Sequence, residues 1–533
     1  MPGNPHTVDH EIRQAADSRG DRRFLEFVPG KGDADGRGGI HEWTATYGEL
    51  EERTGWVGAA LRRIGISRGE HVALLMRNRP EFVLSWLGAS RVGNPVIPVN
   101  AGLKGDGLAY VLNHSDAVAV IVEDEQASAI AAIRDDLPNI RHFIGVGESY
   151  VDALPDARPW SDLMEVRPLP DVDVAPTDPM AVMYTSGTTG LPKGVLLPHS
   201  RIMTGRMILR WAGVVSEDKL YTCLPLFHAN AALISFWGTF GLGGQLVVSR
   251  RFSASRMWGE ISRTESTVLT ALGAMIPILA KQSPRAGDAN NTARLVISAA
   301  CPKDIWRDFE QRFGVSIVEL YGTVEGGLTI AGPEAPIGSI GKPPPGVEVR
   351  IARSDGSVCG PGEVGELVAR PSEGAAEVKY YKDPRSSAKK TSGGWLHTGD
   401  RAYRDADGYF WYVDRDEHFM RRRGENISSS EIEQVVAMHP SVLECAAYGI
   451  PSELGEDEVA IAVVLRPEVE IPPHELVDFC RPRMADFQLP RFIRIVTELP
   501  KTETHRAKKV SLRNEGITPD MWDREQPTTL PLS

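Results

Sequence analysis

Between residues 47 and 124 the chain alternates amphipathic helix with short apolar strand, and this limits its possible folds more than any other feature. "YGELEERTGWVGAALRRI" (47–64) places Leu50, Val57, Leu61 and Ile64 on one helical stripe. "HVALLM" (71–76) reads as a buried strand, "PEFVLSWLGASRVG" (80–93) as a helix, and "NPVIPVN" (94–100) as the start of another strand. Strand, helix and strand at this spacing call for a parallel, doubly wound sheet. Strand-like runs recur at 117–124, 245–250, 267–272 and 295–300, so an α/β region fills most of the first four hundred residues. After about residue 340 the pattern changes. "GKPPPGVEVRIARSDGSVCGPGEVGELVAR" (341–370) is turn-rich with short alternating strands, which predicts a small β subdomain. "DADGYFWYVDRDEH" (405–418) holds a turn, an aromatic strand and a charged stretch. "SSSEIEQVVAMHPSV" then opens a helix with a serine cap and an acidic first turn. A domain boundary is expected at 414–417, which suits a chain of 533 residues, too long for one core.

The formal charge of −12 weighs against nucleic acid or anionic membranes as partners. Five cysteines, Cys223, Cys301, Cys359, Cys445 and Cys480, make no CxxC pair and no zinc spacing. Free thiols in a reducing, cytoplasmic setting are expected. The start, "MPGNPHTVDHEIRQ", has no apolar signal core. "AALISFWGTFGLGGQLVV" (231–248) is the nearest approach to a membrane span. Its four glycines and Gln245 read instead as buried helix, turn and strand.

"TSGTTGLPKG" (185–194) gathers three glycines, four hydroxyls and a lysine. Gly187, Gly190 and Gly194 let the backbone turn its N–H groups toward an anion. Thr185, Ser186, Thr188 and Thr189 add donors, and Lys193 adds charge. The spacing is not that of a Walker loop. Ser186 follows Thr185 and Tyr184, so there is no serine-hydrolase elbow.

This loop resembles the phosphate loop of the adenylate-forming superfamily, which includes acyl-CoA synthetases, luciferases and peptide-synthetase adenylation domains. Further likenesses follow in order: "YGTVEGG" (321–327), "GWLHTGD" (394–400), "YFWYVDR" (409–415), "RRRGENISSSEIE" (421–433) and "LPKTETHRAKKVSLR" (499–513). "RRGENISS" is most similar to the carnitine- and aromatic-acid–CoA ligase branches. The resemblance implies a fold of one large domain (1–414), a hinge (415–417, turning at Glu417) and a mobile α+β C-terminal domain (418–533). It implies two steps: a carboxylate attacks the α-phosphate of ATP to give acyl-AMP, then the small domain rotates and the coenzyme A thiol displaces AMP. In the nucleotide site it assigns Tyr321, with Gly322 and Thr323, to adenine, Asp400 to ribose, Arg415 to ribose and phosphate, and Glu325 to Mg²⁺. His228 would stand at the acyl site, with Phe227, Ala229, Asn230, Ser298, Ala299 and Ala300 as its walls. Gly424 would line the thiol tunnel. Arg421, Arg422 and Arg423 would either meet CoA phosphates or form a solvated charge run.

Two departures fall on the first step. The terminal motif, fixed by Lys501 and Thr502 on one side and Lys509, Leu512 and Arg513 on the other, has Arg506 where the resemblance calls for the catalytic lysine. A guanidinium keeps the charge but not the compact shape of an ammonium. Val324 takes the place of a threonine that contacts the α-phosphate. The expected activity is therefore acyl transfer from an acyl-adenylate to CoA, with adenylation weak or lost and acyl-AMP supplied by another enzyme. The alternatives are a complete ATP-dependent carboxylic acid–CoA ligase, with Arg506 or Lys508 serving, and a non-catalytic adenylate-binding protein. Small residues beside Phe227, Phe236 and Trp237 suggest a bulky, apolar acid, unless the alanines only pack helix on sheet.

Overall fold

The computed structural model of the chain describes residues 6–29, 43–185, 191–272, 275–415, 419–452, 455–500, 507 and 509–526. Two large sheets form the N-terminal part. The first has seven strands. Arg158–Pro159, His142–Val146, Ala117–Glu123, His71–Leu75, Val96–Pro98 and Pro179–Thr185 run parallel, and Lys193–Pro198 folds back antiparallel on the last of them. The second has eight strands, with Ser316–Gly322, Leu295–Ala299, Val268–Leu272, Lys219–Thr222, Gln245–Ser249 and Arg23–Val28 as its parallel core.

The helix expected over 47–64 spans Tyr47–Arg63. Thr46 and Glu49 close a reciprocal capping box at its start, and Leu50, Val57 and Leu61 are fully buried. It packs against Pro80–Arg91, where Gly58 and Gly88 allow a close approach: a Cβ on Gly88 would stand 2.7 Å from Val57. The stretch 231–248 resolves into a π-helix at Asn230–Gly238, one further turn at Thr239–Leu242, a glycine turn and the strand Gln245–Ser249. Among the described residues no helix is long and apolar enough to cross a membrane.

A four-stranded antiparallel sheet, Val347–Ala352, Gly365–Pro371, Leu396–Arg404 and Phe410–Arg415, forms the small β unit. Beyond it come the hairpin Phe419–Arg422 with Glu425–Ser428, the helix Ser429–Ala437, and a four-stranded sheet headed by Val442–Pro451 and Asp457–Leu465. This last unit has its own apolar core around Ile432, Ile461 and Leu476. The expected fold class, a large α/β part with a smaller α+β C-terminal domain, is what the chain adopts.

Candidate active site

The groups of interest gather at the carboxyl ends of the parallel strands, where open α/β sheets bind ligands. The strand Pro179–Thr185 ends at the phosphate loop, and Thr185 pairs with Lys193 across the ladder. The loop residues between them, Ser186, Gly187, Thr188 and Thr189, lie outside the described residues. Beneath the loop, Tyr110 donates to Pro192 O and Tyr184 bonds His114 Nδ1. Lys193 turns its ammonium to Ser386 Oγ at 2.6 Å, 3.7 Å from Asp383.

Tyr321 and Gly322 end the strand Ser316–Gly322. Tyr321 donates its hydroxyl to Asp400 Oδ2 at 2.6 Å, and Asp400 is only 1% exposed. Asp400 also faces Arg415 in the ladder of the small β unit. The expected adenine and ribose residues thus meet, although they lie 79 positions apart. Thr323 closes the turn onto Gly326, whose φ is +144°. This turn carries Glu325, which accepts from Tyr380 Oη at 2.7 Å. Burial raises the Glu325 pKa, but the Lys390 ammonium and the tyrosine bond outweigh it and hold the carboxyl below its ordinary value. A single ionised carboxylate beside a phosphate site fits a Mg²⁺ ion that takes its other ligands from phosphate and water. Among the described residues no cluster of three or more His, Cys, Asp or Glu could cage a metal.

At the expected acyl site, the rings of Phe227 and His228 lie 4.7 Å apart between centroids, tilted by 56°, just ahead of the π-helix. His228 Nε2 meets Glu425 Oε1 at 2.7 Å. Burial lowers the His228 pKa, but the Glu425 carboxylate more than compensates and the net direction is up. Ala229 and Asn230 begin the helix, and Asn230 Oδ1 is buried without a hydrogen-bond partner among the described residues. Ser298 and Ala299 end their strand, and Ala300 follows in the left-handed region at φ +69°.

What fixes that wall was missed from the sequence. Glu319, 4% exposed, accepts the backbone N–H groups of Ala300 and Cys301. Burial pushes its pKa up to about 7 against the pull of those amides. The signal available was period two: Glu319 shares a strand face with Tyr321. Phe236 and Trp237, expected near the acyl group, are 4% and 3% exposed in an aromatic cluster with Phe24 and Phe240, and with Leu226 and Ala232 they line a small apolar cavity.

The hairpin from the C-terminal unit reaches this site. Arg422 pairs with Glu425, and Arg423 and Gly424 form a two-residue turn with φ +55° and +79°. A Cβ on Gly424 would meet nothing within 4 Å, so in this arrangement the glycine serves the turn's backbone. Arg422 overturns its expectation as a CoA ligand or solvated charge. It is 2% exposed, bonds Leu489 O at 3.0 Å and pairs with Glu458 at 2.8 Å inside its own domain. Arg423 is exposed. Glu417 and Arg506 lie outside the described residues, as do Lys501, Thr502 and Lys508. Lys509, at the end of the strip, is tied to Ser429 Oγ at 2.7 Å and Glu433 at 2.6 Å.

The Tyr321–Asp400 bond and the contact of His228 with Glu425 of the C-terminal unit thus stand near the strand ends of an α/β fold. The sequence profile of the AMP-binding enzyme family matches residues 12–376, and that of the AMP-binding enzyme C-terminal domain matches 431–506. A medium/long-chain-fatty-acid–CoA ligase of Mycobacterium marinum is 32% identical over 470 residues, 86% of this chain and 90% of the relative. A crotonobetaine/carnitine–CoA ligase of Salmonella arizonae is 29% identical over 490 residues, 88% and 93% of the two chains. Among solved structures, an anthranilate CoA ligase in complex with anthranoyl-AMP matches with a TM-score of 0.70 at 26% identity, over 96% of this chain and 97% of that one. An o-succinylbenzoate CoA synthetase from Bacillus subtilis shares the fold with a TM-score of 0.79 at 23% identity, over 95% and 98%. The chain belongs to the AMP-binding enzyme family, the adenylate-forming superfamily whose acyl-CoA ligases use ATP and CoA.

Proposed function

We propose that the chain is an acyl-CoA ligase that transfers an acyl group from acyl-AMP to the CoA thiol, with its own adenylation step weak or lost. The observation that carries this reading is the contact of Glu425 with His228. With His228 read as the acyl-side residue, this contact supports a thiol-transfer arrangement in which the hairpin bearing Gly424 stands beside the acyl group. The terminal strip, meanwhile, ends anchored to the helix Ser429–Ala437 of its own domain through Lys509. The substitutions at Arg506 and Val324 support the same reading, because both remove groups suited to the α-phosphate. Losing one well-placed cation or donor costs on the order of 10²–10⁵ in the rate of such a step.

Tyr321 and Asp400 would hold the adenosine, Lys193 and Arg415 the phosphate side, and Glu325 a Mg²⁺ ion whose charge offsets that of the phosphates. His228, next to Glu425, would orient the acyl carbonyl where the thiol arrives. Glu417 would be the hinge between the two arrangements. The acid would be bulky and apolar, its adenylate made by an upstream enzyme.

The runner-up is a complete ATP-dependent acid–CoA ligase. It is favoured by near full-length similarity to a fatty-acid and a carnitine ligase. One comparison separates the two. Purified protein is given acyl-AMP plus CoA, and separately acid, ATP and CoA. Thioester from the first mixture at least a hundredfold faster is expected, with Arg506→Lys raising the second rate. Equal rates would establish the complete ligase instead. Nucleotide binding without thioester from either mixture would leave a non-catalytic adenylate binder.

A further inference from the structure

The segment 380–400 crosses the nucleotide site twice, and its one lysine near the centre of that site has no role in the reading above. Tyr380 reaches Glu325 Oε1 at 2.7 Å, and the chain then turns into the helix Pro384–Lys390, capped by Asp383. Lys390, half-buried, ends that helix and donates from Nζ to Thr398 O at 3.1 Å. Thr398 is itself fixed. Its hydroxyl donates to Leu367 O at 2.6 Å and accepts from Asp400 N at 3.0 Å. The ammonium is therefore held over the backbone that presents the ribose-side aspartate. It is also the foremost charge favouring ionised Glu325. Thr398 O is its one hydrogen-bond partner among the described residues. An ammonium carries three N–H groups, so two remain to be used.

The neighbourhood explains what those donors could serve. Val324 offers no side-chain donor. We propose that Lys390 is a phosphate ligand of the bound nucleotide, its ammonium bridging Thr398 O and a non-bridging oxygen of the adenylate phosphate. The inference rests on the nucleotide-site reading above. It supplies from the large domain a donor that Val324 lacks. Because Lys390 and Thr398 both belong to the N-terminal part, this contact does not depend on where the terminal strip stands. An acyl-AMP arriving from another enzyme would meet it ready-made. A lysine at a helix end can instead serve only that helix and its strand neighbour, and the test is chosen to tell the two apart.

AMP and adenosine binding are measured by calorimetry on the full chain, wild type against Lys390→Met, with thermal melts alongside. A lost charge-assisted bond to phosphate predicts AMP weakened about ten- to hundredfold. Adenosine, which has no phosphate, should change less than about twofold. Lys390→Gln can keep the bond to Thr398 O without the charge, and the same AMP-selective loss is expected of it. Lys390→Arg should recover part of the affinity. Equal weakening of AMP and adenosine would make Lys390 a structural tie and overturn the proposal, as would unchanged AMP affinity. Wild-type protein that binds adenosine no worse than AMP would overturn the nucleotide-site reading and the inference with it.

Discussion

Two acidic side chains on one strand-and-turn, Glu319 and Glu325, meet opposite environments. Glu319 faces the wall expected at the acyl side, where the amides of Ala300 and Cys301 and the Ser298 side chain pull its pKa down and Arg421 adds the smallest pull. Together they do not repay its desolvation, and its pKa sits at about 7. Glu325 faces the nucleotide side, where Lys390 and Tyr380 outweigh burial and keep it ionised. The cation Lys390 is the largest pull on Glu325, whereas the cation Arg421 is the smallest on Glu319, and the stronger charge goes with the carboxylate that stays ionised. The first suits a structural pin, the second a cation site.

The largest expected break in this comparison is Glu319→Leu. It strands two amides at a cost of about 1–3 kcal/mol each. A loss of about 2–5 kcal/mol in urea unfolding is expected, with Glu319→Gln losing far less. Next comes pH. The folded pKa of Glu319 lies above its unfolded value, so the native state binds the extra proton between about pH 4.5 and 7. Its contribution is full below that window and is lost as pH rises through it. Wild type should therefore lose up to about 3 kcal/mol across the window relative to Glu319→Gln. Parallel stability curves would show Glu319 to be unperturbed. Glu325 has the opposite sign: its folded pKa is depressed, so its contribution is present at neutral pH and fades as pH falls below the ordinary carboxylate range. Glu325→Gln should lose that neutral-pH contribution to stability and reduce the Mg²⁺-dependent gain in ATP affinity about tenfold. Magnesium titrations of nucleotide binding check this. Smallest is Tyr380→Phe, which removes one bond to Glu325 and should weaken the same gain about threefold.

Much of this was legible in the sequence, for physical reasons that can be named. The helix at Tyr47–Arg63 carried both its apolar stripe and its cap within a few positions. The glycines of 231–248 marked the turn that breaks an otherwise apolar run. Tyr321 and Asp400 were placed by ordered motifs, and their hydroxyl–carboxylate bond joins them. The misses concern side chains whose role depends on distant partners. Glu319 acts on a loop 19 residues away, and Lys390 on a strand reached only after a turn. Arg422 was misread because three adjacent arginines look like surface. In a hairpin, alternate residues share a face, and Arg422 follows buried Met420 inward.

The π-helix at Asn230–Gly238 has a consequence for how the acyl side could change. Its hydrogen-bonded ring, closed from i to i+5, encloses one residue more than the i to i+4 ring of an α-helix. Removing a residue would let it tighten, rotating Asn230 against the aromatic cluster that grips the other end at Phe236. The surroundings of His228 could then be reshaped through chain length alone, with no side chain exchanged.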